Sequence, residues 1–114
     1  MISGIFRMAF TGAAGSGFGM FVLRDGGVAG ADVGGAVYDG TYTDDPSAKE
    51  IKINVSMRAP AGITPVQTGV PLPGPIDIPI TATIPYRDLE SENPSLLQTP
   101  LGAVNAIFKK VRDV

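Results

Sequence analysis

Ile51-Lys52-Ile53-Asn54-Val55-Ser56-Met57-Arg58 alternates apolar and polar residues without a break. Successive side chains of a strand point to opposite faces, so this spacing predicts a half-buried strand with Ile51, Ile53, Val55 and Met57 directed inward together. A slip of one residue would expose all four, which pins the register. The same period returns downstream, where Ile76, Ile78, Ile80, Ala82 and Ile84 alternate with Asp77, Thr81 and Thr83. Pro79 lies on the outward side of that run and marks an edge or a bulge. Between the two runs stand Pro60, Pro65, Pro71, Pro73 and Pro75. Proline lacks a backbone donor, so residues 60–75 read as a long extended loop rather than a ladder.

Upstream the pattern is again strand-like. Phe6, Met8 and Phe10 share one face of a first strand, with Ile5, Arg7 and Ala9 opposite. Thr11 to Gly17 reads as a glycine-rich turn. In the next run Phe18, Met20 and Val22 fall on one side and Phe21 and Leu23 on the other. Asp25-Gly26 is a strong hairpin signal, because both central residues of such a turn need φ > 0. A short strand over Gly27 to Ala31 and a turn over Asp32 to Gly35 follow. Ala36 to Thr43 places Tyr38 and Tyr42 on one face, with Asp39-Gly40 as an alternative turn. Thr43-Asp44-Asp45-Pro46-Ser47 is a loop.

The C-terminal third has two readings. Tyr86 to Ser95 is polar and suits a helical turn. Thr99-Pro100-Leu101-Gly102 fits a type I turn or a helix start. Within residues 103–112, Val104, Ile107, Phe108 and Val111 have helical spacing in a strand-like composition, and periodicity does not decide between them. Some seven or eight short strands in one domain of 114 residues predict an all-β sandwich or closed barrel, with room for one short helix near the C-terminus.

Composition excludes more functions than it suggests. The chain has no histidine and no cysteine. The commonest general base, the commonest neutral metal ligand and all thiolate chemistry are therefore missing, and no Ser-His-Asp or Cys-His arrangement can be built. No catalytic residue, metal or cofactor is expected. The formal net charge is −2 and the only basic cluster is Lys109, Lys110 and Arg112, which argues against direct nucleic-acid binding. No run of about 20 apolar residues predicts a membrane span. The N-terminal stretch is broken by glycines and lacks a signal peptide's compact apolar region, so the expected location is cytoplasmic.

One resemblance emerges from these residues. Gly4-Ile5-Phe6-Arg7-Met8-Ala9-Phe10, glycines 15, 17 and 19, Val22-Leu23-Arg24-Asp25-Gly26, Ala29-Gly30-Ala31-Asp32 and Tyr38-Asp39-Gly40-Thr41-Tyr42 together resemble the bacterial type III secretion negative regulators, relatives of the global regulator of LEE repressor. The resemblance spans roughly residues 4–58. It implies a lipocalin-like antiparallel β-barrel, usually a homodimer, and a strand for the tail to close it. It also implies a regulator that acts by binding another protein, such as a transcriptional activator, without touching DNA. The best-known member carries an acidic run of four carboxylates tied to its activity. The matching loop here keeps two acids, Asp44 and Asp45, and the family's Gly-Gly-Asp turn reads Gly30-Ala31-Asp32.

Two candidate sites follow. Asp44, Asp45 and Glu50 form a candidate contact patch for a basic partner, with Asp44 and Asp45 expected to be exposed at the tip of a hairpin loop and dispensable for stability; the bland reading is an ordinary solvated loop. Phe6, Met8, Phe10, Phe18, Met20 and Val22 would line a barrel interior, either filled as a core or left open for a small apolar ligand. The first alternative belongs to an interaction protein and the second to a small-molecule carrier, and the interior volume discriminates them. Gly12 to Gly19 is not a phosphate loop, since a strand pattern follows it instead of a helix. Pro71-Leu72-Pro73-Gly74-Pro75 reads as stiff loop rather than a polyproline ligand.

Overall fold

A computed structural model describes residues 2–114. Eight strands, β1 (Gly4–Gly12), β2 (Gly15–Arg24), β3 (Gly27–Asp32), β4 (Val37–Asp45), β5 (Glu50–Ala59), β6 (Ile76–Pro85), β7 (Ser95–Thr99) and β8 (Gly102–Arg112), close into one antiparallel barrel in sequence order. One short helix, α1 (Tyr86–Glu90), interrupts them. Closure leaves no free edge, since β8 returns to β1 along Ile5↔Arg112 to Thr11↔Asn105. The tail is thus a strand, and the helical turn falls at the start of the polar Tyr86–Ser95 segment.

Ile51, Val55 and Met57 of β5 are buried and Ile53 is half-buried on the same side, as their alternation requires. Asp25 and Gly26 take φ of 51° and 82° and form the tight turn between β2 and β3. Asp39-Gly40 is no turn: β4 runs through it without a break. A Cβ at Gly40 would lie 2.7 Å from Val55 Cα and would also meet the Asn54 carbonyl oxygen, so glycine is there because β5 passes too close for a side chain. The glycine-rich Thr11–Gly17 stretch is mostly strand, with only Ala13 and Ala14 between β1 and β2.

The seam between β6 and β7 is the thinnest, with one bridge at Thr81↔Gln98. Pro79, exposed on β6, and the five-residue length of β7 account for it.

The two barrel ends are closed differently. At one end α1 buries Leu89, and the buried Asp88 accepts a hydrogen bond from Ser95 Oγ at 3.1 Å. At the other, the proline-rich loop 60–75 folds back as a strap. Gly62 N–H donates to Leu72 O and Leu72 N–H to Ile63 O, giving the strap its own small hairpin. Its middle is tied down by Ala14 N–H to Val66 O at 2.8 Å and by Gln67 Nε2 to Thr99 Oγ1 at 3.2 Å.

Candidate functional site

The barrel interior is packed around three rings. Phe6 stacks on Phe21 with centroids 5.3 Å apart, and Phe21 meets Phe108 edge-on at 5.5 Å. The β1–β2 ladder explains this set. Phe6 pairs with Phe21, Met8 with Gly19 and Phe10 with Gly17, and directly opposed residues share a face. Phe6 and Met8 are buried and Phe10 is half-buried, as expected of an inward face. The expectation for β2 is overturned. Phe18 and Met20 are 61% and 47% exposed, and Val22 pairs with Ile5 on the outward side. Phe21 and Leu23 take their place inside. Pairing Gly12 with Gly15 makes every even residue of β1 face an odd residue of β2, a parity that a turn one residue longer would have reversed.

The interior holds two small voids. One, of about 50 Å³, is wholly apolar and lies between Phe21, Leu23, Val28, Ile51 and Phe108. The other, of about 160 Å³, lies under the strap against Phe10, Met57, Ile63, Val66, Leu97 and Val104. Met8, Tyr38, Ile80 and Leu97 border both and separate them. Asp32 stands at the rim of the larger void. Its Oδ1 accepts the backbone N–H of Gly34 at 2.9 Å and of Ala36 at 3.2 Å, and its Oδ2 accepts the Tyr38 hydroxyl at 2.5 Å. Burial, reinforced by the hydrogen bond to Asp32, raises the Tyr38 pKa far above that of an ordinary phenol.

The outer surface is two-faced. On β5 and β6 the outward residues are Lys52, Asn54, Ser56, Arg58, Asp77, Thr81 and Thr83, with Pro79 the one exposed apolar member. Across β8, β1, β2 and β3 the outward positions instead carry a cluster of apolar residues, flanked by Arg7, Lys109 and Asn105. Ile107, Ala9, Phe18 and Val33 form one cross-strand row, in which Val33 N–H donates to Phe18 O at 3.0 Å. Lys109, Arg7, Met20, Ala31 and Val37 form the next, charged at its β8–β1 end and apolar beyond it. Phe18, Met20, Val33, Val37 and Ile107 are all exposed, five of the large apolar residues that the described chain leaves in water. Scattered exposure of single apolar residues is ordinary on a soluble surface, whereas clustering of this kind is not. Glu92 bridges Arg7 at 2.9 Å and Lys109 at 3.9 Å on one rim.

The three acidic candidates lie at the α1 end. Asp44 is half-buried, not freely exposed: its Oδ2 accepts the Ile2 N–H at 2.6 Å and its Oδ1 accepts the Tyr86 hydroxyl. These bonds argue against the expectation that it is dispensable for stability, because they fasten the N-terminal segment and the start of α1 to β4. Tyr42, buried beside it, donates its hydroxyl to Ile2 O. The bond to Asp44 pushes the Tyr86 pKa up to about 12, and burial raises that of Tyr42. Asp45 caps the β4–β5 turn, accepting from Ser47 Oγ at 2.7 Å and Ala48 N–H at 3.2 Å, and the Ser47 bond lowers its pKa. Glu50 is half-buried and pairs across the ladder with Asp45.

The outer apolar face was not read from sequence as a site. Its signal was present in the period-two runs, where both faces of residues 5–10 and 18–23 carry apolar side chains. Among the described residues no helix is long and apolar enough to cross a membrane, and no group of three or more acidic residues is placed to hold a metal ion. Compared with known proteins, the chain matches no family model and no curated protein.

Proposed function

We propose that this chain is a non-enzymatic regulatory protein that docks on other proteins through the apolar outer face of β8, β1, β2 and β3. The observation that carries the reading is the gathering of Phe18, Met20, Val33 and Ile107 on one outward face while the outward side of β5 and β6 stays polar. Interface cores are depleted in charge and enriched in aromatic residues and methionine, with polar rims, and the Arg7–Glu92–Lys109 edge supplies such a rim. The type III secretion negative regulators, whose turn and glycine pattern this chain resembles, give the proposal its specific form: a bacterial, cytoplasmic homodimer that restrains a transcriptional activator by contact. Asp44, Asp45 and Glu50 enter it only as a secondary, steering contact. The carrier alternative has weaker support, since the larger interior void, about 160 Å³, is well under the roughly 300 Å³ that a drug-sized ligand needs.

Sedimentation velocity and affinity capture, run on the parent and on a Phe18→Asp/Met20→Asp variant, test the reading. The parent should sediment near twice the 11.8 kDa chain mass, and the variant should sediment as a folded monomer that loses the captured partner. A Ser56→Asp control on the polar side should behave as the parent. A variant that associates and captures as the parent does would reject the face.

A further inference from the structure

We infer that the void beneath the strap is a binding site for a small, neutral aromatic molecule carrying a hydrogen-bond donor. Size is the first reason. About 160 Å³ is the class of apolar cavity that accepts one benzene-sized molecule, and it excludes long acyl chains and steroids. Chemistry is the second. The walls are mainly apolar, with Phe10 and the thioethers of Met8 and Met57 among them, and sulfur packs well against aromatic rings. No lysine or arginine lines the void, and Asp32 is the one carboxylate that does. An anionic ligand would lose its hydration there without gaining a counter-charge. A donor fares better, because a carboxylate oxygen already accepting the Tyr38 hydroxyl keeps further lone-pair capacity. Tyr38 stays a neutral phenol through the whole physiological range, its ionisation opposed by burial and by Asp32.

Access is the third reason. The roof, made by Ile63, Pro65 and Val66, belongs to the strap and not to the barrel wall. The strap's hairpin is held over the mouth through Val66 and Gln67, so the barrel strands need not part for a ligand to enter. Met8 borders both voids, and its unbranched side chain lets the site deepen around a slightly larger ring.

The Met57 methyl reports on this directly, because it lines the void, whereas Met8 borders both the void and the outer groove and Met20 lies on the outer face. The full chain, labelled with ¹³C at the methionine methyls, is titrated with indole and separately with benzoate. Indole should shift Met8 and Met57 saturably with a midpoint at or below about 1 mM, the range expected of so small a ligand. Met20 should not move, and benzoate should shift none of the three. Ala36→Leu and Val66→Phe, each projecting new carbon into the void, should raise the indole midpoint about tenfold or more. Val66 is outside the strands, so its variant carries the test if Ala36→Leu loses the native methyl dispersion, and an indole contact to the Met57 methyl seen by nuclear Overhauser effect gives a readout without any substitution. The inference is overturned by unsaturable or absent shifts at Met8 and Met57, by benzoate binding equally, by Met20 moving in step with the others, or by a folded filling variant that binds as the parent does. Phe18 does not line the void, although its neighbour Val33 borders both sites, so loss of association with an unchanged Met57 titration in Phe18→Asp, and the reverse in Val66→Phe, keep failure of the docking surface and failure of this site apart.

Discussion

Phe21→Ala and Phe18→Ala, compared side by side, test the facing of β2. Phe21 is 8% exposed and touches two rings, Phe6 at 5.3 Å and Phe108 at 5.5 Å. Removing its ring withdraws roughly 110 Å² of buried apolar area, about 3 kcal/mol at 25 cal/mol per Å². Two aromatic contacts and the residual cavity bring the expected loss to about 4 kcal/mol, inside the usual range of about 3–5 for such a truncation. With an unfolding entropy near 2.1 cal/mol/K per residue, a chain of 114 residues should then melt about 17 °C lower. Phe18 is 61% exposed, and its truncation should change the stability of the monomer by no more than about 0.5 kcal/mol. Urea denaturation followed by far-ultraviolet circular dichroism measures both losses. Running it at two protein concentrations separates any contribution from association. A Phe18→Ala loss equal to or larger than that of Phe21→Ala would mean that β2 presents its other face to the core, and the β1–β2 register would be wrong.

Asp44→Ala should cost roughly 1.5–3 kcal/mol, since it orphans the Ile2 N–H and frees the Tyr86 hydroxyl; Asp45→Ala, which loses only turn contacts, should cost less, and equal denaturation midpoints would contradict this. Gly40→Ala should cost roughly 1–3 kcal/mol by forcing β4 away from β5 at Val55 and Asn54, and an unchanged melting temperature would show that the strands do not approach so closely. All three tyrosine pKa values are raised, Tyr86 to about 12 from an ordinary 10.0. The folded state thus favours the neutral phenols: their contribution is fully present below pH 10 and fades as pH climbs through the folded values. Spectrophotometric titration at 295 nm should show at most one tyrosine ionising near pH 10 before unfolding, and two or more such phenol steps in the native protein would refute the Tyr86–Asp44 or the Tyr38–Asp32 bond.

Much of the barrel was legible in the chain because local rules suffice for it. The alternation of Ile51 to Met57 commits one face to the interior whatever lies opposite, Asp25-Gly26 supplies the backbone that a tight hairpin needs, and the prolines of 60–75 deny that segment a ladder. Two matters were beyond local rules. Residues 18–23 are apolar on both faces, so burial alone does not choose between Phe18 and Phe21; the two-residue Ala13-Ala14 connection chooses, by setting which residue of β2 opposes Phe6. For residues 103–112, helical spacing and strand composition were in balance, and the open hydrogen-bonding groups of β1 and β7 tipped it, since a strand there satisfies both neighbours and a helix neither. Asp44 shows the same division. Its sequence neighbourhood is that of a solvated turn, and only the return of Ile2 and Tyr86 from 42 residues away on either side makes it a structural anchor. Alternation and turn chemistry are properties of adjacent residues and can be read from them, whereas the facing of an apolar strand and the partners of a carboxylate depend on segments that meet only when the barrel closes.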